Sequence, residues 1–156
     1  MELISASTSE TKALASRLGE RCFPGAVILL FGPLGAGKTS FVQGLAQGLG
    51  VSGVVNSPTF TIVREHQGRL PLFHFDLYRI DDPQELWEMG FEEYLGRGGV
   101  AAIEWPEQGE ENIPSRFLAV RLSYAGETQR VIRLEAQGEE YKKLAEELMD
   151  SAGFGN

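Results

Sequence analysis

The chain has 156 residues, of which 42% are hydrophobic, and this is enough apolar material for one domain with a real core. Its formal net charge is −8, the wrong sign for a protein that follows a nucleic-acid backbone with its own surface. The single cysteine excludes an intramolecular disulfide, and the longest apolar run, residues 26–31, is too short to span a bilayer. We therefore expect one domain over residues 1–156, in a reducing cytoplasm, with no membrane segment.

The first third of the chain predicts a helix, a strand and a second helix. Ser7 and Glu10 have the spacing of a capping box at the start of a helix over residues 8–22. The continuous apolar run over residues 26–31 is typical of a strand buried on both faces of a parallel sheet. A glycine-rich loop follows, and then a helical stripe of apolar side chains that ends near Gly50. The order is therefore strand, glycine-rich loop, helix.

The middle of the chain predicts a hairpin and a short helix. Residues 59–64 and 70–75 are rich in β-forming side chains and are separated by a turn, so we expect an antiparallel pair. Pro71 favours a place at the sheet edge because proline cannot donate to a ladder. Asp82 and Pro83 then suit the N-cap and the first position of a short helix.

The remainder of the chain predicts three more strands and a final helix. Residues 100–104 form a second apolar run that ends in an acid, which suits a central strand. Residues 117–122 and 130–134 are later strands, and residues 139–149 have the spacing of an amphipathic helix. The tail, about residues 151–156, is expected to fray. Together these elements predict a three-layer α/β fold like that of P-loop NTPases, with a mostly parallel central sheet plus an antiparallel hairpin.

The glycine-rich loop carries the strongest functional signal. It reads GPLGAGKT and matches the pattern G-x-x-x-x-G-K-[ST] at every fixed position. Glycines let such a backbone curl so that N–H groups face phosphate oxygens at a helix N-terminus. Lys38, which we expect in a surface loop, would supply a cation to the β- and γ-phosphates, and the Thr39 hydroxyl suits Mg²⁺. The residues predicted to bind ATP are Gly32, Pro33, Leu34, Gly35, Ala36, Gly37, Lys38 and Thr39.

Several side chains near the predicted strand ends could complete this site. Glu104 ends the run 100–104, where open α/β sheets place their ligands, so we expect it to ligate Mg²⁺. Asp76 also follows a β-rich run and could orient water, ligate Mg²⁺ through water or act as a general base, unless it simply ends a strand. Trp105 either packs in the core or covers the nucleotide. His74, within a strand, is more typical of a packed or hydrogen-bonded histidine than of a catalytic one.

The motifs also separate classes of P-loop protein. A guanine-specific GTPase carries Asn-Lys-x-Asp for its base, and this motif does not occur here, so ATP is the expected nucleotide. In an ATPase, Lys38, Asp76 and Glu104 would be the catalytic residues. A small-molecule P-loop kinase and a nucleotide-binding regulatory module remain as alternatives.

Five short motifs together resemble the bacterial TsaE (YjeE) family of ATPases. They are GxLGAGKT at 32–39, SPTFT at 57–61, HFDLYR at 74–79, DPxEL at 82–86 and IEWPE at 103–107. The resemblance implies a role in making N6-threonylcarbamoyladenosine at position 37 of tRNAs that read codons beginning with A. It further implies an ATPase that associates with the TsaB–TsaD complex and supports its turnover, with tRNA reached only indirectly through that complex.

The resemblance assigns roles to single residues of the loop and the strand ends. It implies that the loop through Ser40 holds ATP and that Thr39 and Glu104 hold Mg²⁺. Asp76 would serve hydrolysis or sensing.

The resemblance also points to residues outside the loop. Thr59, in the segment 57–59, would belong to a switch near the γ-phosphate, Trp105 would lie beside the site, and Thr11 would approach the adenine. The family commonly has Asp where this chain has Pro33, and proline lacks an N–H and fixes φ. Whether the side chain at that position contacts the nucleotide is therefore left open, while the loop is still expected to form its phosphate-binding nest of N–H groups.

Overall fold

The computed structural model of the protein describes residues 1–58 and 61–152. Outside this part of the chain lie residues 59 and 60, which include Thr59 and begin the strand predicted over residues 59–64. The last four residues of the predicted tail also lie outside it. The strands are β1 (Glu2–Ser5), β2 (Val27–Phe31), β3 (Val63–His66), β4 (Leu72–Asp76), β5 (Val100–Glu104), β6 (Phe117–Tyr124) and β7 (Arg130–Gln137). The helices are α1 (Thr8–Arg21), α2 (Lys38–Gly48), α3 (Gln84–Glu88), α4 (Phe91–Leu95) and α5 (Glu139–Ser151), with a 3₁₀ segment over Pro106–Asn112.

The strands form one sheet in the order β1-β7-β6-β2-β5-β4-β3. The four central strands, β6, β2, β5 and β4, run parallel, and antiparallel pairs flank them at both ends. The mostly parallel centre and the antiparallel β3–β4 pair are as predicted, but residues 61 and 62 are not in a strand and β3 begins only at Val63. Strand β1 was not predicted, because its four residues alternate between exposed and buried and make no continuous apolar run.

The edge position expected for the strand with Pro71 is wrong. Strand β3 occupies that edge, and β4 lies between β3 and β5. Pro71 precedes β4, and its carbonyl accepts a hydrogen bond from the Val100 N–H at 2.8 Å. Proline is tolerated there because the position contributes an acceptor, which proline retains, rather than a donor.

Helices cover both faces of the sheet. Ile28 and Leu30 of β2 face a core shared with α1, α2 and α5, whereas Val27 and Leu29 face a second core shared with α3 and α4. Burial on both faces accounts for the unbroken apolar sequence of β2 and confirms the three-layer fold. Within the described ranges, no helix combines the length and apolarity needed to cross a membrane.

The helix starts follow the capping residues closely. Ser7 Oγ accepts a hydrogen bond from the Glu10 N–H at 3.2 Å, as the capping-box spacing predicts. Helix α3 begins one residue later than expected. Pro83 occupies its N-cap, and Asp82 Oδ1 accepts a hydrogen bond from the Gln84 N–H at 3.0 Å.

The carboxyl ends of the parallel strands meet at one edge of the sheet. The loop after β2 leads into α2, and Asp76 and Glu104 are the last residues of β4 and β5. Glu104 is paired in register with Leu30 on one side and with Asp76 on the other. The fold thus brings the glycine-rich loop and both predicted acids to the same place, as expected for an open parallel sheet.

Candidate functional site

The loop between β2 and α2 turns through left-handed glycines. Gly35 has φ +78°, and Gly37, with φ +106°, is the N-cap of α2, a conformation that favours glycine over any residue with a Cβ. The Pro33 carbonyl accepts a hydrogen bond from the Ala36 N–H at 3.1 Å. This turn uses the carbonyl of Pro33 and not an N–H, so the proline is compatible with a closed loop.

The Lys38 side chain is buried, with 6% exposure, and the expectation that it lies in a surface loop is wrong. Its ammonium donates to the Gly32 carbonyl and lies 3.4 Å from the centroid of the Trp105 ring, a cation–π contact. Burial lowers the Lys38 pKa, and Glu104 and neighbouring carboxylates oppose that shift. The indole therefore covers the lysine that would meet phosphate.

Trp105 is held in an uncommon backbone conformation at the end of β5. Its φ of +58° makes it the one non-glycine residue with positive φ among those described. The ring is partly buried against the second core and lies 5.0 Å from the Tyr78 ring. Trp105 therefore packs at the margin of the second core, as one alternative expected, and its ring also covers Lys38, while its contact with the nucleotide stays a prediction.

Three side chains place oxygen atoms close together beside the loop. Thr39 Oγ1 lies 2.6 Å from Ser57 Oγ and 3.3 Å from Glu104 Oε2, and Ser57 Oγ lies 3.4 Å from the same carboxylate oxygen. Hydroxyl and carboxylate oxygens are the donors that Mg²⁺ takes in proteins, usually together with phosphate oxygens. The donor set therefore fits Mg²⁺, and ligation of the metal by Thr39 and Glu104 stays a prediction.

Ser57 was not among the predicted metal ligands. The only signal for it was its place in the switch-like segment 57–59, which the family resemblance implied. A serine in a loop has no local pattern that separates a ligand from a solvated hydroxyl. Its significance depends on contacts with Thr39 and Glu104, which are 18 and 47 residues away along the chain.

His74 supports Glu104 from within the sheet. The imidazole is fully buried, and its Nε2 lies 2.6 Å from Glu104 Oε2. A carboxylate only accepts, so Nε2 carries the proton of this hydrogen bond. The other ring nitrogen, Nδ1, has no hydrogen-bond partner among the described residues. As expected from its place in a strand, His74 is packed and hydrogen-bonded.

Asp76 lies next to Glu104 at the mouth of the site. Burial raises the pKa of Asp76, the Glu104 charge raises it further, and a hydrogen bond from the Tyr78 N–H to Oδ1, at 3.0 Å, opposes both. A carboxyl group with a raised pKa can exchange a proton more readily near neutral pH. This environment is compatible with each of the roles considered for Asp76.

One cavity of about 310 Å³ joins most of the predicted site residues. Its lining comprises Leu34, Gly35, Gly37, Lys38, Thr39, Ser40, Ser57, Asp76, Tyr78, Glu104 and Trp105. Gly32 and Pro33 line an adjoining cavity with Trp105. Nine of the site residues predicted from the sequence thus line the same cavity. Ser57 and Tyr78 also line it and were not among those predicted site residues.

One predicted nucleotide contact, Thr11, lies away from this cavity. Thr11 is 2% exposed in α1, its hydroxyl is 2.7 Å from Ser5 Oγ, and it does not line the cavity. Its contact with adenine stays a prediction. Thr59 lies outside the described residues.

Comparisons with known proteins give the family. The model of the family described as "Threonylcarbamoyl adenosine biosynthesis protein TsaE" matches residues 5–132. The chain belongs to the TsaE family. The resemblance inferred from the five sequence motifs is thereby confirmed.

Curated relatives are similar in sequence to this chain over most of their own lengths. The protein named tRNA threonylcarbamoyladenosine biosynthesis protein TsaE in Bacillus subtilis is 43% identical over 94% of this chain and 92% of its own. The protein of the same name in Nostoc is 44% identical over 80% of this chain and 79% of its own length. The one in Treponema pallidum is 36% identical over 85% of this chain and 98% of its own length. The TsaE family is therefore one of tRNA threonylcarbamoyladenosine biosynthesis proteins.

A solved structure has the same fold. The crystal structure of Bacillus subtilis YdiB superposes with a TM-score of 0.86 at 37% identity, covering 97% of this chain and 95% of the YdiB chain. The three-layer α/β architecture is thus shared along nearly the whole chain.

Proposed function

We propose that this TsaE-family protein is a Mg²⁺-dependent ATPase subunit that acts with the TsaB–TsaD complex in N6-threonylcarbamoyladenosine modification of tRNA. One observation carries the proposal. The loop that ends in Lys38 and the oxygen atoms of Thr39, Ser57 and Glu104 line a single cavity at the carboxyl edge of the sheet. Binding of a nucleoside triphosphate with Mg²⁺ requires a cation, a set of metal ligands and a glycine-rich helix N-terminus in one place.

Each side chain has a chemical role in this proposal. Lys38 would exchange its contact with the Gly32 carbonyl for the β- and γ-phosphates, which attract its charge more strongly. Thr39, Ser57 and Glu104 would hold Mg²⁺, which when bound neutralises charge on the phosphate oxygens.

Asp76 would then act on the attacking water. It borders the cavity beside Glu104, and its raised pKa suits a group that accepts a proton or a hydrogen bond from water near neutral pH. Asp76 would therefore serve hydrolysis as a proton acceptor or a water-orienting residue.

The isolated protein is expected to hydrolyse ATP slowly. Phosphoryl transfer is limited by the charge and positioning around the γ-phosphate, and a missing arginine finger or water-orienting group reduces the rate by about 10³–10⁵. In this proposal TsaB–TsaD completes the site. The net charge of −8 likewise favours tRNA contact through the assembled complex rather than through this chain.

The test measures ATP turnover and tRNA retention for the protein alone and with TsaB and TsaD, at one fixed salt concentration. We expect slow turnover and weak tRNA binding alone, and an increase of both in the complex. Lys38→Ala in the same mixtures is the control for ATP hydrolysis by the partners. Fast turnover that the partners leave unchanged, or submicromolar tRNA binding by the lone protein at physiological salt, would overturn the proposal.

The same assay separates the other two candidates. Phosphate transferred to a small-molecule acceptor would identify a P-loop kinase. Tight ATP binding without hydrolysis under any of these conditions would identify a nucleotide-binding regulatory module.

A further inference from the structure

Two side chains that flank the β6–β7 turn, Tyr124 at the end of β6 and Arg130 at the start of β7, bind the outer face of the glycine-rich loop. The Tyr124 hydroxyl donates to the Leu34 carbonyl at 2.7 Å, and Arg130 Nε donates to the Ala36 carbonyl at 3.1 Å. Tyr124 and Arg130 face each other in the antiparallel register of β6 and β7. Neither lines the cavity of about 310 Å³, so both act on the loop from behind.

Tyr124 and Arg130 also contact each other. The Arg130 guanidinium lies over the Tyr124 ring, with Cζ 4.5 Å from the ring centroid. Its Nη1 donates to three carbonyl oxygens of the turn, at 2.9–3.3 Å, those of Gly126, Glu127 and Gln129. The planar fork of arginine makes several such bonds in a fixed geometry, which lysine cannot do.

The direction of a carbonyl determines the direction of the next N–H. In a planar trans peptide the C=O and the following N–H point to opposite sides. Holding the Leu34 and Ala36 carbonyls toward β6 and β7 therefore turns the N–H groups of Gly35 and Gly37 toward the opposite side, where both glycines line the cavity. An anion-binding nest needs its N–H groups in this orientation.

We propose that Tyr124 and Arg130 are positioning residues that hold the loop in its phosphate-binding form before the nucleotide arrives. The proposal rests on the proposed function of the loop, and it concerns the loop's own geometry rather than any contact with ATP. Preformed N–H groups need no reordering on binding, so the affinity for phosphate should be higher than that of an unbraced loop. The Tyr124–Arg130 pair is referred to below as the brace.

The first test uses Tyr124→Phe and Arg130→Lys, with Arg133→Lys as the matched control on the same strand. Binding of ADP without Mg²⁺, of inorganic pyrophosphate and of adenosine is measured by calorimetry. Because a single hydrogen bond to a loop carbonyl contributes modestly when it is partly exposed, each brace variant should bind ADP and pyrophosphate about two- to fivefold more weakly. Adenosine binding should not change, because adenosine has no phosphate to meet the loop.

A second readout needs no ligand. Hydrogen exchange of the Ala36 amide, which donates to the Pro33 carbonyl within the loop, should be about two- to fivefold faster in both brace variants of the free protein, because exchange of a hydrogen-bonded amide follows local opening. The control, Arg133→Lys, should leave exchange and binding as in the wild type, because Arg133 pairs with Glu2 and not with the loop.

The outcomes are distinguishable. Wild-type pyrophosphate affinity and loop exchange in both brace variants would overturn the brace while leaving the proposed ATPase intact, and so would an equal loss of adenosine and pyrophosphate binding. If the wild-type protein binds neither ADP nor pyrophosphate, the proposed function fails instead. Loop exchange in the free protein still decides the brace in that case.

Discussion

The sheet carries two kinds of close contact between polar side chains, one at the cavity and one on the outer face of its antiparallel end. His74 and Glu104 are 2.6 Å apart, with side-chain exposures of 0% and 4%. Arg133 and Glu2 are 2.9 Å apart, with exposures of 57% and 54%. The distances are similar and the surroundings are opposite. Solvent and salt screen the exposed pair, whereas little water reaches the buried one, so contact distance alone does not rank these pairs.

The difference in burial shows which side chains reduce the stability of the fold by losing contact with water. Removing Glu104 and Lys38 from water is unfavourable, and hydrogen bonds from His74, Thr39 and Ser57 offset that penalty only in part. The exposed pairs carry no comparable penalty, and their loss should matter little. Variants of the buried groups should therefore change ligand binding, stability or both, and variants of the exposed groups should change each of them little.

The largest effect is expected from Lys38→Ala. Loss of a charge-assisted contact with phosphate should weaken ATP binding about 10- to 100-fold in calorimetry. Because burial lowers the Lys38 pKa, the charged ammonium does not favour the folded state, and the melting temperature should fall little. Lys143→Ala, on an exposed position of α5, is the control. Hydrolysis at the wild-type rate in Lys38→Ala would contradict the proposed function.

Glu104 offers a pair of substitutions that separates metal binding from structure. Glu104→Gln keeps an oxygen that accepts from His74 but loses the charge, so Mg²⁺-dependent ATP turnover should fall more than Mg²⁺-free nucleotide binding. Glu104→Ala should do the same and also lower the free energy of unfolding by about 1–3 kcal/mol, because it leaves the His74 donor buried and unpaired. If Glu104→Gln lowered Mg²⁺-dependent turnover and Mg²⁺-free nucleotide binding equally, together with the melting temperature, Glu104 would be a structural residue.

His74 should act through Glu104. Gln can place its side-chain N–H₂ near the position of Nε2, whereas the shorter Asn reaches only to that of Nδ1. His74→Gln should therefore keep a Mg²⁺ dependence close to that of the wild type, and His74→Asn should require a several-fold higher Mg²⁺ concentration for half-maximal ADP binding. Titration of ADP binding with Mg²⁺ measures this directly. Equal Mg²⁺ requirements in the two variants would contradict a positioning role.

Asp76→Asn should stabilise the protein near neutral pH. The folded-state pKa of Asp76 is raised above its ordinary value of 3.8, so the folded protein binds this proton more tightly than the unfolded chain does. The resulting stability is present below pH 3.8 and is lost as pH rises through the folded-state pKa. Asn retains an oxygen for the Tyr78 N–H. Melting temperatures from pH 3 to 8 should show a gain at pH 7 that disappears in acid, together with lost ATP turnover.

The smallest effect is expected from Arg133→Ala on the exposed face. Its ion pair with Glu2 should contribute less than about 1 kcal/mol to the free energy of unfolding in urea titrations, and still less in high salt. A loss as large as that in Glu104→Ala would show that exposure does not separate the two classes of contact.

The features that sequence predicted are those whose signal is local. The apolar run of β2, the glycine-rich loop and the acid at the end of β5 each occupy a few consecutive residues, and parallel-strand geometry then places Asp76 and Glu104 side by side. The predicted helix over residues 8–22 differs from α1 by a single residue at its end. In such segments, hydrophobic period and turn residues determine the local structure almost completely.

The features that sequence missed depend on partners far along the chain. Nothing in the neighbourhood of Ser57 distinguishes it from a solvated loop serine, and Tyr124 and Arg130 resemble ordinary strand residues until β6 and β7 meet the loop. The burial of Lys38 under Trp105 likewise arises from a tertiary contact. Side-chain spacing carries no information about such contacts, because they depend on how separate elements pack.

The brace has a consequence for the order in which the protein can assemble. Leu34 and Tyr124 are 90 residues apart in the chain, and Ala36 and Arg130 are 94 apart. Contacts between such distant positions form late, since the entropy of closing a long loop opposes them, and synthesis proceeds from the N-terminus. A nascent chain that has left the ribosome only as far as α4 therefore holds the complete glycine-rich motif without its two carbonyl anchors. If the brace acts as proposed, the loop reaches its full affinity for phosphate only when β7 joins the sheet.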